Sequence, residues 1–196
     1  MTMMKSKFLA VLASFAALSG CISLGGGEVP DQLLTLTPSA TIPAGAAAEG
    51  QAAAGLAVQV PSVTQRLNVT RVPVTTSDSS LAYLQDAVWV EKPAQLFRNV
   101  LAETIRAKGN RLVVGGGELE YAAQTQLSGQ LVDMGYDANS GSVIVRYDAV
   151  LRLPDGTLRT RRFEEAVPAL PEATDVGSAL NQAANTVADQ VAEWVG

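Results

Sequence analysis

The sequence contains one cysteine, Cys21, and its position near the amino terminus decides what chemistry its thiol can undergo. Two positive charges, Lys5 and Lys7, precede a nearly uninterrupted apolar run over residues 8–18. This order of charge, apolar run and small residues predicts a secretory signal with a cleavage site before the cysteine. The run has about half the length needed to cross a bilayer, so it does not predict a transmembrane helix. We therefore expect residues 1–20 to be a signal peptide.

The four residues at this predicted cleavage site, Leu18, Ser19, Gly20 and Cys21, closely resemble the bacterial lipobox. The resemblance implies that Cys21 becomes the first residue of the mature protein and is acylated on its sulfur and on its new amino group. Two or more acyl chains hold a protein stably on a membrane. Cys21 is then a membrane anchor. The alternative is an ordinary secreted protein with a free thiol.

The rest of the chain has few residues suited to catalysis or to metal binding. It contains no histidine, which excludes serine–histidine and cysteine–histidine hydrolases and histidine-ligated zinc sites. An enzyme would have to use lysine or pairs of carboxylates, and three such pairs occur: Glu118 with Glu120, Glu164 with Glu165, and Asp133 with Asp137. In a chain with 19 acidic residues such pairs arise by chance, and we interpret them as solvated surface. We predict no catalytic residue, metal site or cofactor; an enzyme that uses carboxylates is the alternative.

The composition of the mature chain suits one acidic domain. Removal of residues 1–20 leaves 176 of the 196 residues, with 12 basic and 19 acidic side chains and a net charge of −7. This charge disfavours binding to nucleic acid or to anionic lipid. Residues 21–32 contain a glycine triplet and predict a flexible tether with a reach of roughly 15 to 20 Å. We expect one domain over 33–196, with an alanine- and glycine-rich flexible loop at 39–55 that a domain linker would also explain.

The elements that must carry this domain follow from the apolar patterns. Extended segments are predicted at Leu33–Pro38, Leu56–Pro61, Arg66–Val72, around Tyr83 and Ala87–Val90, at Leu112–Val114, Leu127–Leu131, Val143–Leu153 and Leu158–Val167. Pro93 begins and Gly109 ends a helix, and a second helix begins at about Asp175, whose side chain could cap its first turn. The pattern predicts an α+β fold, with an antiparallel or mixed sheet of five to seven strands and two helices largely on one face.

The middle of the chain resembles a known family. The residues concerned are Val58–Pro61, Arg66–Leu67, Val69–Val72, Trp89–Pro93 and, in the helix that follows, Leu96, Val100 and Leu101. Together with the lipobox they resemble the ABC-type transport auxiliary lipoproteins. The segment before the long loop departs from the family pattern, since it has leucines where tyrosines are common. The resemblance implies a docking component that helps to move lipids or other hydrophobic molecules across the cell envelope.

The resemblance also implies partners and a location. The partners would be a periplasmic MCE-domain protein with its ABC ATPase and permease, the membrane through acylated Cys21, and possible further copies of the chain. Ile22 follows the cysteine, whereas an aspartate there often retains enteric lipoproteins at the inner membrane, so the outer membrane is favoured. Tyr83 and Trp89 are candidate partner contacts, and burial of Trp89 against the first helix is the alternative. The alternative function is an outer-membrane assembly or small-ligand-binding lipoprotein without an ABC partner.

Overall fold

A computed structural model of the chain describes residue 30 and residues 32–109, 111–115 and 118–196. The strands within these ranges are β1 (Leu56–Val58), β2 (Ser62–Val63), β3 (Arg71–Ser77), β4 (Ser80–Val88), β5 (Val113–Val114), β6 (Thr125–Asp137), β7 (Ser142–Arg152) and β8 (Leu158–Pro168). The helices are α1 (Pro93–Lys108), α2 (Glu118–Ala122) and α3 (Ala173–Val195), with 3-10 turns at Ala52–Ala54 and Gln65–Leu67. None of the helices in the described residues is both long and apolar enough to cross a membrane.

Strand β6 is the centre of one mixed sheet. One edge of β6 pairs along its length with β7, which pairs in turn with β8, and both pairings are antiparallel. The other edge pairs in the parallel sense with three short segments in succession, β1, β2 and β3. The sheet then divides, since β5 extends it beyond β1 and β4 extends it beyond β3. The described residues thus confirm the predicted α+β class.

The sheet has eight strands where we predicted five to seven. The strand that no predicted segment covers is β2, which has two residues. A segment of two residues cannot show an alternating pattern of its own. It forms because the edge of β6 offers it backbone hydrogen-bonding partners, and that pairing depends on the tertiary structure.

The two long helices pack on the same face of the sheet. Helix α1 begins at Pro93, as predicted, and ends before Gly109, whose N–H donates to the Ile105 carbonyl at 2.8 Å. Helix α3 begins at Ala173, two residues before the predicted start. Its Asp175 does not cap the helix, because the carboxylate accepts a hydrogen bond from the N–H of Leu170 at 3.0 Å.

One large apolar core lies between this face and the two helices. Its centre includes an edge-to-face pair of rings, Phe97 of α1 and Tyr147 of β7, with centroids 5.3 Å apart. Helix α3 presents small side chains to the core, and this lets its backbone approach its neighbours: the fully buried ones are Ala183, Ala184 and Ala188. A second, smaller apolar cluster joins Ala57, Val114 and Ala123, with Leu112 packed against it. Both long helices therefore contribute buried apolar side chains to the core.

Two predicted strands are wrong in whole or in part. The segment Leu33–Pro38 makes a single parallel bridge, between Leu34 and Trp89, and is otherwise not a strand. The segment Arg66–Val72 begins with a 3-10 turn, and its strand starts only at Arg71. In the second segment the alternation was correct about Leu67, which is buried, but the backbone N–H groups of Leu67 and Asn68 bond within the turn.

Candidate functional site

The predicted anchor lies outside the described residues. Leu18, Ser19, Gly20 and Cys21 all precede residue 30, where the description of the chain begins. Acylation of Cys21 and removal of residues 1–20 therefore stay predictions from the sequence. What the structure does describe is how the chain that follows the predicted tether joins the domain.

That connection is made by residues 33–42, which we call the strap. The strap first joins the sheet beside Trp89, where the N–H of Leu34 donates to the Val88 carbonyl at 2.7 Å and the Leu34 carbonyl accepts from Val90 at 2.9 Å. The side chain of Leu34 also lies against α3 at Gly177, where a Cβ would approach it to 2.6 Å. A larger residue at 177 would therefore displace the strap.

Beyond Leu34 the strap crosses the helices through side-chain amides. Asn185 of α3, which is 7% exposed, accepts from the N–H of Ser39 at 2.7 Å and donates to the Thr37 carbonyl at 2.9 Å. Asn181, one turn earlier, accepts from the N–H of Thr37 at 2.8 Å. The strap then reaches α1, where the N–H of Ile42 donates to Glu103 at 3.1 Å. The segment that follows the predicted tether is thus hydrogen-bonded to both long helices.

A row of ion pairs covers the opposite face of β6, β7 and β8, which we call the open face. Arg66 pairs with Asp133 at 3.0 Å, and Arg146 of β7 pairs with Glu164 of β8. The third pair joins Asp148 and Arg162 through two contacts of 2.6 Å, in the bidentate geometry that suits arginine and carboxylate. The two pairs between β7 and β8 follow from the strand register, in which Arg146 lies opposite Glu164 and Asp148 lies opposite Arg162.

Two of the arginines lower the pKa values of their partners on the neighbouring strand. The hydrogen bond from Arg146 holds the pKa of Glu164 below its usual value, and the hydrogen bond from Arg162 does the same for the pKa of Asp148. Asp133 and Glu164, each a member of a different predicted acidic pair, therefore have arginines as ion-pair partners. Asp137 instead accepts hydrogen bonds from Asn139 and Ser140 in the turn between β6 and β7, and these lower its pKa.

The remaining acidic pair, Glu118 and Glu120, belongs to the short helix α2. Within the described residues no group of three or more potential metal-ligating side chains occurs. Of the acidic residues that the sequence singled out, Asp133, Asp137 and Glu164 each have an ion-pair or hydrogen-bond partner.

A groove beside α1 brings together residues that the sequence did not single out. It has a volume of about 460 Å³ and is lined by Val60, Gln95, Arg98, Arg106, Gly115 and Glu120. Arg98 is fixed in it, because its Nε donates to the Val58 carbonyl at 3.0 Å. A Cβ on Gly115 would lie 2.7 Å from a guanidinium nitrogen of Arg98, so the glycine leaves room for this side chain. Arg106 is held by Glu103 at 3.2 Å.

Exposed apolar and aromatic side chains accompany this groove. Val60 is 50% exposed on its lining, and α2, which contributes Glu120 to the lining, also carries Leu119 at 55% and Tyr121 at 88% exposure. We call Val60, Leu119 and Tyr121 the groove rim. Tyrosine and arginine are the residues that most often dominate binding at protein interfaces. Helix α2 has only five residues, too few for a periodic signal, and so the sequence could not predict that a helix forms here.

The two predicted contact residues have different surroundings. Trp89 is 1% exposed in the main core, so the expectation that it contacts a partner is corrected in favour of burial. Its indole nitrogen has no hydrogen-bond acceptor among the described residues. Tyr83 on β4 is half-buried, and the Arg71 guanidinium lies 4.6 Å from the centre of its ring. Of the two, only Tyr83 remains a candidate contact.

Comparison with known proteins identifies relatives by family and by fold. The model of a family described as the ABC-type transport auxiliary lipoprotein component matches residues 34–192. A crystal structure of an uncharacterized protein has a TM-score of 0.63 at 15% identity, and the alignment covers 84% of this chain and 100% of that one. Protein XCC0632 from Xanthomonas campestris, of family DUF330, gives 0.65 at 17% identity, with 85% and 92% covered. At these identities the structures show a shared fold. No curated protein matches the sequence.

Proposed function

This chain belongs to the family of ABC-type transport auxiliary lipoprotein components, and from that premise we propose that it docks a periplasmic component of a transport system at a membrane. The transport system would move lipids or other hydrophobic molecules across the cell envelope. The proposed partner is an MCE-domain protein that works with an ABC ATPase and permease. The proposed anchor is acylated Cys21, in the outer membrane because Ile22 follows it.

The observation that carries the docking role is the groove beside α1 with its rim. A tyrosine that is 88% exposed, next to an exposed leucine, has no evident use in the stability of a monomer. The fixed guanidinium of Arg98 offers hydrogen-bond donors at the same place, without the entropic cost of ordering a free arginine on binding. An interface needs this combination of apolar contact and preorganised polar groups.

The strap supports the proposal because it limits how far the groove can lie from the membrane. The predicted tether, residues 21–32, has twelve residues, and a random coil of that length has a reach of roughly 15 to 20 Å. Because the strap is bonded to the sheet at Leu34 and then to α3 and α1, the tether begins at the folded domain and not at a free end of the chain. An acylated Cys21 would therefore hold the domain within a short distance of the bilayer, where a periplasmic partner could find it.

Co-purification from solubilised envelopes of the native organism tests the proposal. The wild-type chain is the bait, and Cys21→Ser is the unanchored control. We expect the wild type to recover an MCE-domain protein or its ATPase and permease, and the Cys21→Ser chain to recover much less. Recovery of β-barrel or cell-wall proteins without any transporter component would contradict the transport role and favour the assembly or small-ligand alternative.

A second set of baits tests the groove itself. Truncating an interface residue that dominates binding costs about 2 kcal/mol or more, which is roughly a thirtyfold loss of affinity. We expect this loss of transporter components with Tyr121→Ala. The matched control is Leu170→Ser, which also removes an exposed apolar side chain, 61% exposed, away from the groove. Equal recovery with both variants would show that the groove rim is not the docking surface.

A further inference from the structure

The outermost strand of the sheet, β8, has one edge that no strand in the described ranges covers. It pairs with β7 from Leu158 to Pro168 over its whole length, and with no other strand. An uncovered edge presents a row of unpaired N–H and C=O groups, to which another chain can add. Proline would prevent such pairing, but the only proline of β8 is its last residue. The edge is therefore long and chemically able to pair.

The charges of β8 are arranged symmetrically about one residue. Arg161 and Arg162 precede Phe163, and Glu164 and Glu165 follow it. When two copies of such a strand run antiparallel with the two Phe163 residues opposite each other, each arginine lies opposite a glutamate of the second copy. Position 161 then meets 165, and position 162 meets 164. By symmetry this register makes four cross-strand ion pairs, and directly opposed side chains lie on the same face of a sheet.

The same charges disfavour the neighbouring ways of pairing. A register centred on position 162 places Arg162 opposite Arg162, and one centred on position 164 places Glu164 opposite Glu164. Parallel pairing in register opposes every charge with its like. Like charges directly opposite each other are destabilising. The sequence of β8 therefore favours its own copy as the partner strand, in the register that opposes the two Phe163 residues.

The ion pairs within the chain extend this complementarity. On the open face Glu164 already contacts Arg146, and Arg162 already contacts Asp148. Edge-to-edge pairing of two copies continues each contact into a row of four alternating charges over four strands: Arg146 and Glu164 of one copy, then Arg162 and Asp148 of the other. Charges in such networks contribute more than isolated surface pairs do.

From this arrangement we propose that β8 is a two-fold interface, at which two copies of the chain join their sheets into one continuous sheet. Charges on an edge strand can also serve to prevent such pairing. A protective edge repels its own copy, however, and this one attracts it in a single register. The proposal does not depend on the transport function, and it leaves the groove rim on α2 free for another partner.

The test reverses the charge at positions 161 and 165, one at a time, in the full chain purified in detergent. Neither residue takes part in the ion pairs with β7, so Arg161→Glu and Glu165→Arg leave those contacts in place. Each substitution appears twice in a symmetric dimer. We expect a dimer for the wild type and dimerisation weakened by about tenfold or more for each variant alone, measured by native mass spectrometry.

The decisive sample is an equimolar mixture of the two variants, one of which carries a mass tag. Glutamates at 161 and 165 of one chain then face arginines at 165 and 161 of the other, so the mixture should form heterodimers as readily as the wild type forms dimers. Loss of intramolecular contacts cannot produce this rescue. A monomeric wild type, a dimer indifferent to both substitutions, or a mixture that stays monomeric would each overturn the proposal.

Disulfide formation gives an independent measure of the register. Thr160 and Ala166 are exposed and lie opposite each other across the proposed two-fold axis. Chains with Thr160→Cys and with Ala166→Cys should cross-link when mixed in the envelope, and neither should do so alone. The unmodified chain reports any cross-linking through Cys21. Cross-links of Thr160→Cys with itself, or none in the mixture, would contradict the register even if the charge variants were misfolded.

Discussion

The two faces of β7 show two different ways in which one strand is stabilised. Towards the helices its side chains are fully buried and fit by size and shape: Val143, Val145, Tyr147, Ala149 and Leu151 are all at most 1% exposed. Towards the open face they are half-buried, and Arg146 and Asp148 are neutralised by charges on the neighbouring strand. The helix face is stabilised by side chains whose volumes fit together. The open face is stabilised by charges that the strand register places opposite each other.

The two faces of the sheet therefore have different structural roles. Burial of apolar surface is the main favourable term in folding, so substitutions on the helix face should change the free energy of unfolding most. Exposed ion pairs contribute little to that free energy, because water already solvates the separated charges. What the open face can supply is specificity of register, both between β7 and β8 and between two copies of β8. The predictions below test this division on each face.

The largest effect should come from emptying the centre of the helix face. Tyr147 has no exposed surface, packs edge-to-face on Phe97, and donates a hydrogen bond to the Ser128 carbonyl at 2.7 Å. We expect Tyr147→Ala to lower the free energy of unfolding by about 3 to 5 kcal/mol, as removal of buried rings generally does. Tyr147→Phe keeps the ring and should cost only about 1 kcal/mol, for the lost hydrogen bond. Urea unfolding measures both, and equal costs would mean that the ring's volume is not what stabilises this face.

A glycine that allows this ring to lie close to β6 should matter almost as much. Gly129 has φ of +150°, and a Cβ there would lie 2.9 Å from the Tyr147 ring and would overlap the Asp148 carbonyl oxygen. We expect Gly129→Ala to cost about 3 kcal/mol, from backbone strain and from the clash. Gly141 also has positive φ, at +64°, but has open space around it, so Gly141→Ala should cost about 1 kcal/mol. Equal unfolding midpoints would refute the importance of the close contact.

The two faces of the sheet also differ in how well the sequence predicts them. The helix face could be predicted because burial repeats with the period of the element: α1 was bounded correctly by Pro93 and Gly109, and β7 alternates along its whole length. The open face could not, since the position of Asp133 opposite Arg146 depends on a register that includes an irregularity between Leu131 and Asp133. The sequence predicts that these charged residues lie on the surface, but only the structure shows which residues they pair with.

The elements that the sequence missed are those held by distant residues. The strap was predicted as a strand, but the N–H of Thr37 is bonded by Asn181, 144 positions later in the chain. Helix α2 was missed because five residues carry no period, and with it the groove rim around Tyr121. We predicted a partner contact for Trp89, with burial as the alternative, and the structure shows that Trp89 is buried. Local patterns therefore predict the core better than they predict the candidate site.

A polar contact on the helix side should be worth more than one on the open face. Asn185 is almost fully buried and makes hydrogen bonds to the strap on both sides of its amide. We expect Asn185→Ala to cost about 1 to 3 kcal/mol, because backbone groups of the strap lose buried partners. Gln182→Ala on the exposed side of α3 is the matched control and should be neutral. Hydrogen exchange should show faster exchange at Ser39 in the first variant only; unchanged protection there would mean that Asn185 does not hold the strap.

The smallest effect, and the one that identifies the open face most directly, is a dependence on pH. Arg146 and Arg162 lower the pKa values of Glu164 and Asp148 in the folded chain, below the values of about 4.3 and 3.9 expected when it is unfolded. The unfolded state therefore binds more protons in acid, so this stabilisation is complete above those values and is lost as the pH falls through the lowered ones. Arg146→Gln should cost less than about 1 kcal/mol at neutral pH, and its unfolding curves should converge with those of the wild type as the pH approaches 3. A cost that is the same at pH 3 and pH 7 would show that Arg146 stabilises β7 by packing its aliphatic stem. The open face would then resemble the helix face, and the contrast between volume and register would not hold for this strand.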